Sequence, residues 1–139
     1  MKHFILTGHA RISEGIASAV ELILGKKILY FNAYVDNSDE PFYESIKKEI
    51  ESIDKNDEII IFTDIFGGSV NNEMMQLLNL PNIHLISGMN LGLVIQFLMI
   101  DDDTPIEKNI NQYIESAKNN IIYCNNLVKN QNSNCIEEF

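Results

Sequence analysis

Glu58-Ile59-Ile60-Ile61-Phe62-Thr63-Asp64-Ile65-Phe66-Gly67-Gly68-Ser69 is the stretch on which the reading of this chain turns. Ile59 to Phe62 is an unbroken apolar run with no polar face. The run predicts a strand over Glu58–Asp64 that is covered on both sides, as in the middle of a parallel sheet. Gly67-Gly68-Ser69 then breaks the strand and opens a helix carrying Met74, Met75, Leu77 and Leu78.

A strand of that kind needs helices above and below it, and the flanking sequence offers them. Upstream, Phe4-Ile5-Leu6 reads as a short buried strand ending at Thr7-Gly8. Ile12–Leu24 reads as a helix with Ile12, Ile16, Ala19, Val20, Ile23 and Leu24 on its apolar side, Ser13 as N-cap and Gly25 as stop. Lys27–Val35 is β-branched and aromatic and predicts a second strand. Beyond the loop Asn37–Pro41, Ile46, Ile50 and Ile53 mark a second helix. Downstream come a strand at Ile83–Ser87, a helix over about residues 91–99, the acidic loop Asp101-Asp102-Asp103 and a helix over about residues 106–117. Ile121-Ile122-Tyr123 is a candidate fifth strand. The alternation predicts an α/β fold: an open, mostly parallel sheet with helices on both faces. Residues 1–125 form one domain in this reading, followed by an asparagine-rich tail, 126–139.

The chain has 139 residues, 45% of them hydrophobic, and a formal net charge of −10. That composition excludes a disordered chain. The acidity argues against binding nucleic acid or an anionic membrane surface. No apolar run approaches the roughly 20 residues of a membrane span, and the N-terminus has no secretory leader pattern. Cys124 and Cys135 fit neither a disulfide framework nor a zinc pattern, so both are expected as free thiols in a reducing cytoplasm. The acidic surplus is local. Residues 36–58 hold nine acids against three lysines, and residues 101–139 hold seven against three. The segments bearing His9, Asp64 and Ser69 together are neutral.

In open α/β sheets, ligands bind beyond the carboxyl ends of the strands where strand order reverses. That rule singles out the loops around His9, Val35, Asp64 and Ser87. If the first and third strands are neighbours, His9 and Asp64 meet. A carboxylate that accepts from one imidazole nitrogen fixes the tautomer and leaves the other nitrogen as a nucleophile or base. Such a pair suits phosphoryl acceptance or general-base work. Gly67 and Gly68 let main-chain N–H groups turn toward an anion, and Ser69 and Val70 lie where a helix begins. Taken singly, these residues have plainer explanations: an aspartate turn with a helix cap for Asp64 and Ser69, a solvated loop for His9. His3 and His84 read as packed strand residues, and Arg11 as either a surface residue or a charge near the phosphate. The methionines read as core or interface filler, and the Asp101-Asp102-Asp103 loop as solvated. No metal constellation is seen.

Taken in order, the motifs resemble a known family. Gly8-His9, Glu14-Gly15-Ile16, Glu21 to Gly25, Thr63-Asp64-Ile65-Phe66-Gly67-Gly68-Ser69 and Ile86 to Leu91 are similar to the mannose-family IIA component of the bacterial phosphoenolpyruvate-dependent sugar phosphotransferase system. The resemblance implies strand order 2-1-3-4, and an antiparallel fifth strand, here Asn119 to Cys124, exchanged in a homodimer. It implies that His9 accepts phosphate at Nε2 from the histidine phosphocarrier protein and passes it to a IIB component, acting with membrane IIC and IID components in sugar uptake. It also implies that Asp64 holds the other ring nitrogen, that Ser69 and the Gly67-Gly68 backbone receive phosphate oxygens, with the Val70 N–H beside them at the helix start, and that no metal or other cofactor takes part. The site departs from the family pattern at Val70 and Gly92, where many members have proline. The alternatives are the phosphotransferase subunit of a dihydroxyacetone kinase, which usually lacks the Gly-Gly-Ser loop, and a phosphorylation-gated regulatory module. A receiver-like domain phosphorylated on Asp64 lacks the paired acids that would hold magnesium.

Overall fold

A computed structural model describes residues 1–35 and 41–129. Strands β1 (Lys2–His9), β2 (Leu29–Ala33), β3 (Glu58–Thr63) and β4 (Ile83–Ser87) form one sheet. Its order is β2-β1-β3-β4, and every pairing is parallel. From β2 the chain crosses β1 to build β3 on the far side. The order therefore reverses between β1 and β3, the strands that end in His9 and lead into Asp64.

Among the described residues the helices are α1 (Ile12–Leu24), α2 (Phe42–Glu51), α3 (Ser69–Met75), α4 (Leu91–Leu98), α5 (Ile110–Asn119) and α6 (Cys124–Lys129); α1 to α5 pack on the sheet, and α6 buries no residue. Short 3-10 turns at Gln76–Asn79 and Ile106–Lys108 follow α3 and precede α5. The period-two alternation of strands divides the core into two layers. On one face Leu6, Ile60, Phe62 and Ile86 pack with Val20 of α1, Leu93 and Phe97 of α4, and Ala117 of α5. On the other face Ile5, Ile59 and Ile61 pack with Ile46 and Ile50 of α2 and with Val70 and Met74 of α3. β3 is thus covered on both sides, as its apolar run predicts. Burial of a side chain such as Ile60 or Ile61 stabilises the fold by about 1.5–3 kcal/mol each. Phe97 stands edge-on to Phe62 and Tyr113, with ring centroids 5.5 and 5.3 Å apart.

Several local expectations hold. Gly25 ends α1 in the left-handed region (φ 68°), with its N–H on the Glu21 carbonyl. The helix expected from about residue 91 is present as α4, and Asn90 caps it by accepting from the Leu93 N–H at 2.9 Å. His3 and His84 are satisfied strand residues, beside Asp57 at 2.9 Å and Glu58 at 3.6 Å.

Other expectations need correction. Ser13 is not the N-cap of α1: Arg11 holds that position without a side-chain bond, and Ser13 is buried. The buried face of α1 is Ser13, Ala17 and Val20, whereas Ile12 and Ile23 are 45% and 55% exposed. Small residues face the sheet because α1 lies almost against β1. A Cβ on Gly8 would sit 2.6 Å from Ile12 Cγ2 and 3.1 Å from Ser13 Oγ. The Asp101-Asp102-Asp103 side chains are exposed, as expected, and what the sequence does not show is the role of the loop's main chain. The buried Lys2 ammonium donates to the carbonyls of Asp101 (2.9 Å) and Asp102 (2.7 Å). Of the methionines, Met74 and Met89 are core, while Met75 and Met99 are exposed.

Within the single chain, residues 121–123 form no strand, and α6 follows them across position 125. Ile121, Ile122 and Tyr123 are exposed. A strand needs a partner edge for its N–H and C=O groups, and this segment pairs with none among the described residues. The expected tail lies mostly in residues 130–139, outside the described residues, as does Cys135. Cys124 is a free, exposed thiol.

Candidate functional site

His9 is the last residue of β1, and Asp64 is the first residue after β3. Parallel pairing of these strands brings the two together. One carboxylate oxygen, Asp64 Oδ2, accepts from both the His9 main-chain N–H and the His9 ring Nδ1, each at 2.8 Å. The other, Oδ1, accepts from Ile65 N at 3.0 Å. A carboxylate can only accept, so the proton between it and the ring lies on Nδ1, and in the neutral imidazole Nε2 keeps a free lone pair. Burial pushes the Asp64 carboxyl up. The bonds from the His9 main chain, the His9 ring and Ile65 N outweigh that and hold it below the ordinary carboxylate value. The Asp64 side chain is 5% exposed and that of His9 40%. The carboxylate is therefore sealed, and the imidazole reaches solvent.

The floor beneath the pair is fixed by buried hydroxyls. Thr7 Oγ1 donates to the Phe62 carbonyl and Thr63 Oγ1 to Asn71 Oδ1, both at 2.8 Å. Gly8 is needed because any Cβ there would press on Asp64 Cγ at 3.2 Å as well as on α1.

Gly67 turns the loop after β3 with φ 78°, and Gly68 sits at the N-cap of α3. A Cβ on Gly68 would lie 3.5 Å from His9 Cε1, so the loop passes close to the ring. The Ser69 hydroxyl is 3.3 Å from His9 Nε2. Val70 is fully buried in the core, so its side chain takes no part in the rim. The structure thus brings together His9, Asp64, Gly68 and Ser69, with Gly67 setting the turn. Arg11 is exposed and pairs with Glu14 at 3.3 Å.

Sequence reasoning missed one residue here. Tyr34 donates its hydroxyl to Ser69 Oγ at 2.9 Å, and its ring lies 5.5 Å from that of His9. The strand-end rule pointed to the loop at Val35. β2 stops at Ala33, which moves the rim position one residue earlier.

A cleft of about 820 Å³ lies at the opposite end of the strands, among Lys2, Lys26, Lys27, Glu49 and Asp101. The His9 site is flanked in sequence by exposed apolar residues, Ile65 and Phe66, on the loop after β3. Among the described residues, no three His, Cys, Asp or Glu side chains gather as a metal site. No helix among them is long and apolar enough to cross a membrane.

The parallel sheet of order β2-β1-β3-β4 is the fold of solved phosphotransferase-system IIA proteins. The chain belongs to the mannose-type IIA family: the family model described as PTS system fructose IIA component matches residues 3–115. A crystal structure from Klebsiella pneumoniae, assigned to a phosphoenolpyruvate-dependent sugar phosphotransferase system permease, is 37% identical. That match has a TM-score of 0.83 over 91% of this chain and 93% of the other. The PTS IIA protein associated with the fucose utilization operon of Streptococcus pneumoniae is 19% identical, with a TM-score of 0.77 over 91% and 96% of the two chains. The mannose/sorbose specific IIA subunit of Enterococcus faecalis is also 19% identical, with a TM-score of 0.66 over 88% and 94%. These last two speak for the fold alone. No curated protein sequence gives a significant match.

Proposed function

We propose that the protein is a phosphoryl carrier of sugar uptake. It takes phosphate from the histidine phosphocarrier protein on His9 Nε2 and gives it to a IIB component. The observation that carries this reading is the single Asp64 oxygen bonded to both the main-chain and ring N–H of His9. That arrangement holds the ring rigid, with its free lone pair pointing outward. In the transfer, the Nε2 lone pair forms a bond to phosphorus while the donor's P–N bond breaks, and its electron pair returns to the donor nitrogen. The Nδ1 proton stays in place, and Asp64 balances the positive charge that develops on the ring. In this reading the Ser69 hydroxyl and the main-chain N–H groups of Gly67, Gly68, Ser69 and Val70 receive the phosphoryl oxygens, the Gly68 N–H leaving the Ile65 carbonyl that it bonds at 3.3 Å. The chain contributes positioning and electrostatics, as expected for a loose, in-line transfer.

The histidine phosphocarrier, IIB and, through IIB, the membrane IIC and IID components are the partners in this reading, which operates in the cytoplasm. Exposed Ile121, Ile122 and Tyr123 support a homodimer in which residues 119–124 add a strand to the partner's sheet. The Gly67-Gly68-Ser69 loop favours sugar uptake over a dihydroxyacetone kinase subunit.

The test is to incubate the protein with labelled phosphoenolpyruvate, enzyme I and the phosphocarrier, and to map acid-labile phosphate. Label is expected on His9, absent in His9→Ala, and lost again on adding a IIB protein. Label on Asp64 in place of His9 overturns the reading. Label that stays on His9 whichever IIB is added turns it toward a regulatory module.

A further inference from the structure

The hydrogen bonds around His9 run in one direction, and their far end is Tyr34. Asp64 accepts the Nδ1–H, so Nε2 has only a lone pair to offer. Its neighbour, the Ser69 hydroxyl at 3.3 Å, must therefore be the donor. A hydroxyl that donates its own proton has its oxygen free to accept, and the Tyr34 phenol donates to it at 2.9 Å. The order is Tyr34 to Ser69 to His9 to Asp64, a phenol at one end and a carboxylate at the other. Bonds aligned in this way polarise one another.

The main chain holds Tyr34 in place for this contact. Tyr34 adopts φ 66°, and Ala10, just after His9, adopts φ 51°. Bulky residues rarely occupy that left-handed region, and such residues cluster at functional sites. The two follow the final paired residues of β1 and β2, His9 and Ala33. The Ala10 N–H is tied to the Ala33 carbonyl at 2.9 Å, which bridges the two strained positions. Tyr34 is itself exposed, so burial does not fix its ring.

We propose that Tyr34 is a positioning residue for phosphoryl transfer, its hydroxyl holding Ser69 against the reacting nitrogen while its ring shields one side of the imidazole. The proposal rests on the reading of His9 as the phosphoryl acceptor. As the Nε2 lone pair bonds to phosphorus and the donor's P–N electron pair leaves with the donor nitrogen, the Ser69 O–H shifts its hydrogen bond from Nε2 to a phosphoryl oxygen. The Tyr34 O–H stays on Ser69 Oγ throughout. No proton changes owner on Tyr34 or Ser69.

The test uses Tyr34→Phe, which keeps the ring, in the wild-type and Ser69→Ala backgrounds. Two readouts apply: single-turnover transfer from the phosphorylated phosphocarrier, and the ¹⁵N shift of His9 Nε2 in the unphosphorylated protein. The expected result is a rate loss of roughly fivefold for Tyr34→Phe, the size of one ordinary hydrogen bond, with unchanged saturation by the phosphocarrier. The Nε2 resonance should move as its donor loosens. Ser69→Ala and the double variant should transfer at the same rate, because Tyr34 acts through Ser69. Equal losses from Tyr34→Phe in both backgrounds would overturn the proposal, since the phenol would then act without Ser69. Unchanged rate and unchanged Nε2 resonance would also overturn it. If wild type takes no phosphate on His9, the carrier reading itself fails. The Nε2 resonance still reports separately whether the Tyr34–Ser69–His9 alignment exists.

Discussion

Replacing Asp64 by asparagine changes one atom, and the structure states what that atom does. Asp64 Oδ2 accepts two N–H groups and Oδ1 a third. Asparagine has one carbonyl oxygen and one NH₂ group. If the oxygen takes the Oδ2 position, both bonds to His9 survive and the charge is lost. If the NH₂ takes it, the His9 ring must accept at Nδ1, and the proton moves to Nε2, the atom that has to attack. Either outcome removes a charge-assisted hydrogen bond worth about 1.5–3 kcal/mol. At 1.4 kcal/mol per factor of ten, transfer should fall by roughly 10- to 100-fold. The shape is nearly unchanged, so the fold should persist. Single-turnover transfer from the phosphorylated phosphocarrier measures the rate, and two-bond ¹H–¹⁵N spectra of His9 identify the tautomer. Wild-type transfer, with Nδ1 still protonated, would refute the reasoning, because the charge would then be idle.

The same carboxylate sets an acid limit. Asp64 is held below its ordinary carboxylate value, so the folded state binds this proton less readily than the unfolded chain does. Its stabilisation is complete above the unfolded value and is lost as pH falls through the folded one, from about pH 4 downward. Wild type should lose more stability than Asp64→Asn over that range in urea titrations; parallel curves would remove Asp64 as a source. Gly8→Ala places a methyl 2.6 Å from Ile12 Cγ2 and 3.2 Å from Asp64 Cγ. The overpacking should cost about 1–3 kcal/mol and should slow transfer by displacing the carboxylate; wild-type melting and transfer together would show that the strand and α1 yield freely. Lys2→Met leaves two loop carbonyls and Glu58 without the ammonium. It should destabilise by about 1–3 kcal/mol, read by chemical unfolding, and leave transfer unchanged. A transfer defect at wild-type stability would mean that the acidic end of the sheet communicates with His9.

What the sequence makes legible is whatever depends on pattern over several residues. Ile59 to Phe62 announces a strand covered on both faces, and both core layers meet on it. Gly8-His9 and Asp64 are visible as ends of strands, and once the order reverses between β1 and β3 their meeting follows. The buried side of α1 is illegible for a physical reason. Helical spacing ranks faces by how apolar they are, but close approach to Gly8 selects by size, so Ser13 and Ala17 face inward and Ile12 and Ile23 outward. Lys2 escapes notice because its partners are main-chain carbonyls, which no residue pattern records. Tyr34 is missed because its place depends on β2 ending at Ala33 and on a left-handed turn that tyrosine seldom adopts.

Among the described residues, the hydrogen-bond partners of the His9 ring are one carboxylate and one hydroxyl, with no ammonium or guanidinium bonded to it. For a carrier this choice has a thermodynamic consequence. A lysine or arginine clamp would sink the phosphorylated form into a deep well, from which onward transfer would be slow. Neutral donors leave that well shallow, so under the proposed function the equilibrium constant for exchange with the upstream phosphohistidine stays near unity. Net flux would then be set by the ratio of phosphorylated to free partners on either side. The protein would work as a reversible relay whose charge state reports how much sugar is being drawn through the system.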